Sequence, residues 1–240
     1  MTIASETLQY AADGAAMQAT LYVDGAYDHR RPGVLVYPEG FGPGPNVHER
    51  ARRLAQAGYA ALVCDLHGGG RLCTDMTEIR SLIGELYSAP DRTRARARAA
   101  LDLLTLESRV DPARIAAIGH CFGGTMALEL GRSGAPVAAI VGFHSGLATV
   151  APQDAANIAG KVLVCIGADD PYIPPEQRLA FEAEMRAGGV DWRMELYGGV
   201  VHSFTNPDAG DMNMPDVARY DAEADRQSWS AMLGLFANVL

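Results

Sequence analysis

The segment Gly119-His120-Cys121-Phe122-Gly123-Gly124 closes the apolar run 114–119 and precedes the stretch TMALEL. It has the pattern of a nucleophile elbow, G-x-S-x-G, with cysteine in the serine place. A turn this tight puts the nucleophile in a strained backbone conformation, and the glycines two residues before and after it remove side chains that would collide. The sulfur then projects above the strand at the start of a helix, whose dipole favours thiolate. The competing reading is an ordinary glycine-rich strand-to-helix turn around an inert cysteine.

A nucleophile of this kind needs a base, and the base needs an orienting carboxylate. On a sheet of this type they follow in the order nucleophile, acid, histidine. The run 161–167 leads into Ala168-Asp169-Asp170-Pro171, which places two acids at a strand end. The run 192–198 leads into Gly199-Val200-Val201-His202-Ser203-Phe204. From Cys121 to Asp170 is 49 residues and from Asp170 to His202 is 32, each enough for a strand–helix–strand traverse. Of six histidines, His202 is the one on a glycine-flanked loop at such a strand end. His48, His67 and His144 have no neighbouring ligand pattern that calls for zinc.

The elements that must carry these residues are legible as apolar runs. Residues 33–38, 59–65, 114–119, 137–143 and 161–167 are short, continuous and rich in Val, Ile, Leu and Ala, as strands covered on both faces are. Two stretches near the start, 8–14 and 17–25, alternate apolar with polar residues and predict half-buried antiparallel strands. Helical patterns are expected over 46–57, 91–106, 123–131, 175–187 and roughly 217–238, the last with Trp229, Met232, Leu233 and Phe236 on one face. Strand and helix alternate, which predicts an α/β fold: a mostly parallel doubly wound sheet with helices on both faces. Ligands of such sheets bind at the carboxyl ends of the strands, where every motif above falls.

Composition narrows the function classes. The chain has 240 residues, 48% of them hydrophobic and 20% charged, which argues against disorder. A net charge of −9 argues against nucleic-acid or anionic-membrane partners. No segment approaches ~18 consecutive apolar residues, and the first residues lack a basic stretch followed by an apolar run, so no secretory leader is expected. Cys64, Cys73, Cys121 and Cys165 are scattered without a CxxC pair, as free thiols in a reducing cytoplasm would be. The alternating arginines Arg92, Arg94, Arg96 and Arg98 read as a solvated helix rather than an anion site. His120 reads as packing, and His67-Gly68-Gly69-Gly70 reads as a flexible loop.

Taken together, these residues resemble the dienelactone hydrolase family, a cysteine-using branch of the α/β-hydrolase superfamily. The resemblance runs from about residue 15 to the last helix. It rests on G-H-C-F-G-G, on G-A-D-D-P-Y-I-P at 167–174, on G-V-V-H-S-F at 199–204 and on Pro38-Glu39-Gly40-Phe41-Gly42. It implies one α/β-hydrolase domain over 1–240 and a triad on Cys121, Asp170 and His202. The family's aspartate lies four residues before a proline, here Pro174, which selects Asp170 over Asp169. In similar enzymes a glutamate at the position of Glu39 lies beside the resting cysteine and influences its protonation. A carboxylate there disfavours thiolate and protects it from oxidation. The implied oxyanion hole is the pair of backbone N–H groups of Phe122 and Gly40.

The substrate contacts the resemblance points to are Arg80, Tyr87, Phe41 and Ser203. Dienelactone hydrolases hold the lactone carboxylate with two arginines. Arg80 matches one, and Asn206 stands where the second is expected. The bidentate clamp is halved. The expected activity is hydrolysis of a small ester or lactone through a thioester acyl-enzyme, with no metal or organic cofactor. The partner is a small molecule, and the protein is expected to be a cytoplasmic monomer or small homo-oligomer. Rival readings keep the triad for short-chain esters, acyl transfer or C–C bond hydrolysis, or make Cys121 a redox-regulated thiol without catalysis.

Overall fold

Asp13 and Gly14 have φ of +51° and +72°, the two successive left-handed residues that a two-residue hairpin requires. They join β1 (Ile3–Ala12) to β2 (Ala15–Asp24), paired antiparallel along their whole length. The structure is a computed structural model that describes residues 2–26 and 29–240. The chain continues through β3 (Arg31–Tyr37), α1 (Pro45–Gln56), β4 (Ala60–Val63), α2 (Met76–Ser88), α3 (Pro90–Leu106), β5 (Val110–His120) and α4 (Phe122–Arg132). Then come β6 (Ala139–Phe143), β7 (Lys161–Gly167), α5 (Pro175–Ala187), β8 (Trp192–Tyr197) and α6 (Ala222–Val239).

The eight strands form one sheet in the order β1-β2-β4-β3-β5-β6-β7-β8, parallel from β4 to β8, with β2 antiparallel to β4. This is the expected mostly parallel sheet with an antiparallel N-terminal pair. Val34, Leu35, Val36 and Tyr37 are all fully buried. Their alternate faces feed two cores, so neither face of the strand meets water. Leu35 packs with Leu101 of α3, Met126 of α4 and Phe181 of α5 on one side. Val34 and Val36 pack with Leu54 of α1 and Trp229 and Phe236 of α6 on the other. Each such side chain contributes about 1.5–3 kcal/mol by leaving water.

The chain runs outward from β3 to β4 and then returns to β5 on the opposite side of β3. The tops of β3 and β5 are therefore neighbours at a topological switch point, with Tyr37 in register with Gly119.

Four expectations change. The periodicity reading does not include α2, whose Asp75 caps it by accepting from the Glu78 amide at 2.8 Å. The last helix starts at Ala222 rather than near 217, because Asp221 caps it. Residues 217–219 are instead tied to His202, whose amide donates to Val217 O and whose carbonyl accepts from the Arg219 amide, both at 3.0 Å. The arginine run is not simply solvated: Arg96 is buried against Asp13 and Leu66 O, and Arg94 pairs with Glu129 and Asp154. The His67–Gly70 loop is pinned by buried Asp65, which accepts from the amides of His67, Gly68 and Gly70. No helix among the described residues is long and apolar enough to cross a membrane.

Candidate active site

β5 runs directly into the elbow. Cys121 has φ +54° and ψ −123°, a conformation that a residue with a Cβ adopts only under strain. Close packing of backbone holds it there. A Cβ on Gly119 would lie under 3.0 Å from the Gly123 carbonyl, and one on Gly123 would strike the carbonyl oxygens of Tyr37 and Pro38. The Cys121 amide donates to Phe143 O at 3.0 Å and reaches Nδ1 of His144 at 3.2 Å. His144 is fully buried, and burial first, then the charge of His202, pushes its basicity well below the ordinary value. Its Nδ1 is thus the acceptor, and its Nε2–H donates to Thr205 Oγ1 at 2.8 Å. His120 is also buried; it stacks on Phe143 and meets Thr205 Oγ1 through Nδ1 at 2.9 Å.

The turn after β7 shapes the carboxylate. Asp170 Oδ1 accepts from the Tyr172 amide at 2.8 Å, which leaves Oδ2 for His202 Nδ1 at 2.7 Å. Asp170 is buried, whereas Asp169 is exposed to solvent. Burial by itself would lower the basicity of His202. The Cys121 sulfur and the Asp170 carboxylate outweigh it and hold the imidazole up at about 10. A proton on His202 therefore sits between sulfur and carboxylate at neutral pH. The other three thiols are buried, and burial pushes those of Cys64 and Cys165 far up, so Cys121 is the accessible one.

Glu39 follows β3 and is buried beside this group. Burial pushes its carboxyl up to about 7, against the pull of the Asn206 and Asn46 amides and the charges of His202 and Arg50. Asn206 Nδ2 donates to both Glu39 oxygens, at 3.1 and 3.3 Å, while its Oδ1 caps the following turn through the Asp208 amide. The next residue, Gly40, touches Ile83 of α2 so closely that a Cβ would overlap it. Its carbonyl meets His67 Nε2 at 2.7 Å. The amides of Gly40 and Phe122 have no acceptor among the described residues.

One cavity of about 400 Å³ unites these groups. Glu39, Gly40, Phe41, Arg80, Tyr87, Cys121, Phe122, His202 and Ser203 all lie on its wall, and Asp170 stands behind His202. Ser203 has φ +56°, so the residue after the histidine is itself turned into an unusual conformation. Arg80 is exposed at the rim and has no ion-pair or hydrogen-bond partner among the described residues. Asn206, where a second arginine was expected, is spent on Glu39 and is not part of the wall. The apolar remainder of the wall, Ile79 and Ile83 of α2 with Ile173, Met212 and Met214, was not read from the sequence. The Asp75-Met76-Thr77-Glu78 capping pattern is the signal that marks α2. Among the described residues no group of three or more His, Cys, Asp or Glu side chains could hold a metal ion.

The family model described as "Dienelactone hydrolase family" matches residues 17–240. The chain is 45% identical to a solved structure named m3DLH, with a TM-score of 0.96 and 99% of both chains covered. It is 42% identical to a solved dienelactone hydrolase-like promiscuous phosphotriesterase from metagenomic libraries, with a TM-score of 0.94 and 99% of this chain and 98% of that one covered. Among curated relatives it is 28% identical, over 185 residues, to a probable 2-oxo-3-(5-oxofuran-2-ylidene)propanoate lactonase from Bradyrhizobium sp., covering 73% of this chain and 74% of the relative.

Proposed function

This chain belongs to the dienelactone hydrolase family, and we propose that it hydrolyses a small ester or lactone with Cys121 as nucleophile, His202 as acid and base, and Asp170 as the group that orients the imidazole. The observation that carries the reading is the bond from His202 Nδ1 to Asp170 at 2.7 Å, on the same cavity as a cysteine held at φ +54°.

His202 takes the thiol proton, and its raised basicity suits it to hold that proton. The thiolate attacks the carbonyl carbon, a C–S bond forms, and the π electrons move to the oxygen. The oxyanion is received by the free amides of Phe122 and Gly40, each such donor being worth about 3–4 kcal/mol in the transition state. Collapse breaks the C–O bond, and the leaving alkoxide takes the proton from His202. Neutral His202 then removes a proton from water, hydroxide attacks the thioester, and the acid product leaves as Cys121 regains its electron pair. Buried Glu39 opposes accumulation of negative charge in the resting pocket.

The cavity volume suits a small substrate, and unpaired Arg80 at the rim suits a carboxylate on it. The Bradyrhizobium relative's name denotes a lactone that bears a carboxylate, which supports the same class. A second reading, hydrolysis of neutral short esters, is favoured by the commitment of Asn206 to Glu39, since it leaves one cation where two would clamp.

The test is a panel of a neutral aryl ester, a simple butenolide and a carboxylate-bearing enol lactone, run with wild type and Cys121→Ala. Turnover by wild type, with preference for the acidic lactone and loss in the variant, is expected. Turnover of the neutral ester alone supports the second reading. Equal rates for wild type and variant would remove Cys121 from the chemistry.

A further inference from the structure

A second cavity of about 210 Å³, roughly half the volume of the first, lies behind Tyr87. The two share Tyr87, Phe122 and Ala148 as common wall. The far side of the second is made by Leu86, Pro90 and Val150, with Thr93, Thr149 and Glu129. None of these polar groups calls for a charged ligand: Glu129 is paired with Arg94 and Arg132, and the Thr93 hydroxyl donates to Leu86 O.

Of the three residues in the common wall, Tyr87 is held by one ring contact and one hydroxyl bond. The Tyr87 ring lies edge-on to Phe122, with centroids 4.9 Å apart, and its hydroxyl meets Thr125 Oγ1 at 3.2 Å. Thr125 already donates its only proton to Gly146 O at 2.9 Å, so Tyr87 is the donor in that bond. Gly146 makes the closed position possible, because a Cβ there would lie under 3.0 Å from the Tyr87 hydroxyl. Tyr87 is 41% exposed as a whole, with its hydroxyl end buried against Thr125 and Gly146.

We propose that Tyr87 is a specificity gate: closed on Thr125 it limits substrates to the first chamber, and when displaced it admits an apolar arm of the substrate, alkyl or aryl, into the chamber lined by Leu86, Pro90 and Val150. The occupant is part of the substrate because the chamber continues the cavity that holds Cys121. The inference rests on the hydrolase reading above.

The experiment compares kcat/KM for p-nitrophenyl butyrate and p-nitrophenyl decanoate in wild type, Tyr87→Phe, Tyr87→Ala and Tyr87→Ala/Val150→Trp. Val150 is on the surface and lines only the second chamber, so Val150→Trp adds bulk at that chamber and not at the first. The decanoate-to-butyrate ratio is expected to rise at least about tenfold in Tyr87→Ala, the discrimination that one or two buried methylenes carry. It should rise by less in Tyr87→Phe, which loses only the latch, and return toward wild type in the double variant. An unchanged ratio in Tyr87→Phe and Tyr87→Ala overturns the gate, as does a rise that Val150→Trp leaves in place. If Tyr87→Ala does not fold, the ratio in Tyr87→Phe decides. If wild type turns over neither ester, the hydrolase reading is decided by the lactone panel above. The chamber is then read from alkylation of Cys121 by N-octyl iodoacetamide relative to iodoacetamide, followed by intact mass. That ratio rises in Tyr87→Phe if the gate exists and stays flat if it does not.

Discussion

Asn206 Nδ2 donates to both carboxylate oxygens of Glu39, at 3.1 and 3.3 Å, across 167 residues of sequence. The amide thereby ties the end of the β3 loop to the turn after His202, joining the two loops that flank the sulfur. A long arginine at 206 would project a cation; the short amide instead satisfies a buried acid whose proton affinity is raised to about 7.

That raised value makes Glu39 a pH-dependent liability. A carboxyl whose folded value lies above its unfolded one stabilises the protein fully below the unfolded value of 4.5, and the contribution is lost as pH rises through 7. Glu39→Gln removes this cost. The stability of the variant relative to wild type should therefore increase between pH 4.5 and 7 and level off above, by an amount of the order of 3 kcal/mol. Thermal melts across pH 4–9 check it, and a difference independent of pH would contradict it.

Asp170→Asn removes the negative charge that helps hold the His202 proton. His202 then loses that proton at lower pH, so the alkaline limb of kcat/KM, which the imidazolium places near pH 10, moves down. The rate at pH 7 should fall roughly 10²–10⁴-fold. Exposed Asp169→Asn should change neither the limb nor the rate. NMR titration of the His202 ring reports the same shift without substrate.

Arg80→Ala should lower kcat/KM for a carboxylate-bearing lactone about tenfold at low salt and leave a neutral butenolide unaffected. Because Arg80 is exposed, the difference should shrink at 1 M salt. Equal losses on both substrates would mean that Arg80 supports the rim rather than the ligand.

Two glycines separate backbone necessity from chance. Gly123→Ala drives a Cβ into the Tyr37 and Pro38 carbonyl oxygens, and the elbow must open; loss of more than ~3 kcal/mol or of soluble protein is expected. Gly84→Ala, on α2 with nothing within 4 Å, should stabilise by ~0.5–1 kcal/mol. Chemical denaturation measures both.

The sheet is legible because Val34 to Tyr37 and their counterparts are apolar on both faces, and that pattern has few other uses. The elbow, the acid and the histidine are legible because each sits where a strand ends. α2 escapes periodicity because only Ile79 and Leu86 of its thirteen residues are buried, so its apolar stripe is narrow. The start of α6 escapes for a different reason: residues 217–219 carry helix-compatible side chains, yet their backbone is recruited by His202. Asn206 with Glu39, and His144 with the Cys121 amide, are long-range pairings that local spacing does not encode.

The central claim is that Cys121 carries the acyl group. Intact-protein mass after rapid acid quench with an activated ester tests it most directly. Wild type should gain the mass of one acyl group, mapped to Cys121 and labile to hydroxylamine, and Cys121→Ala should gain none. Turnover by wild type with no adduct at Cys121, or turnover retained in Cys121→Ala, would contradict the account.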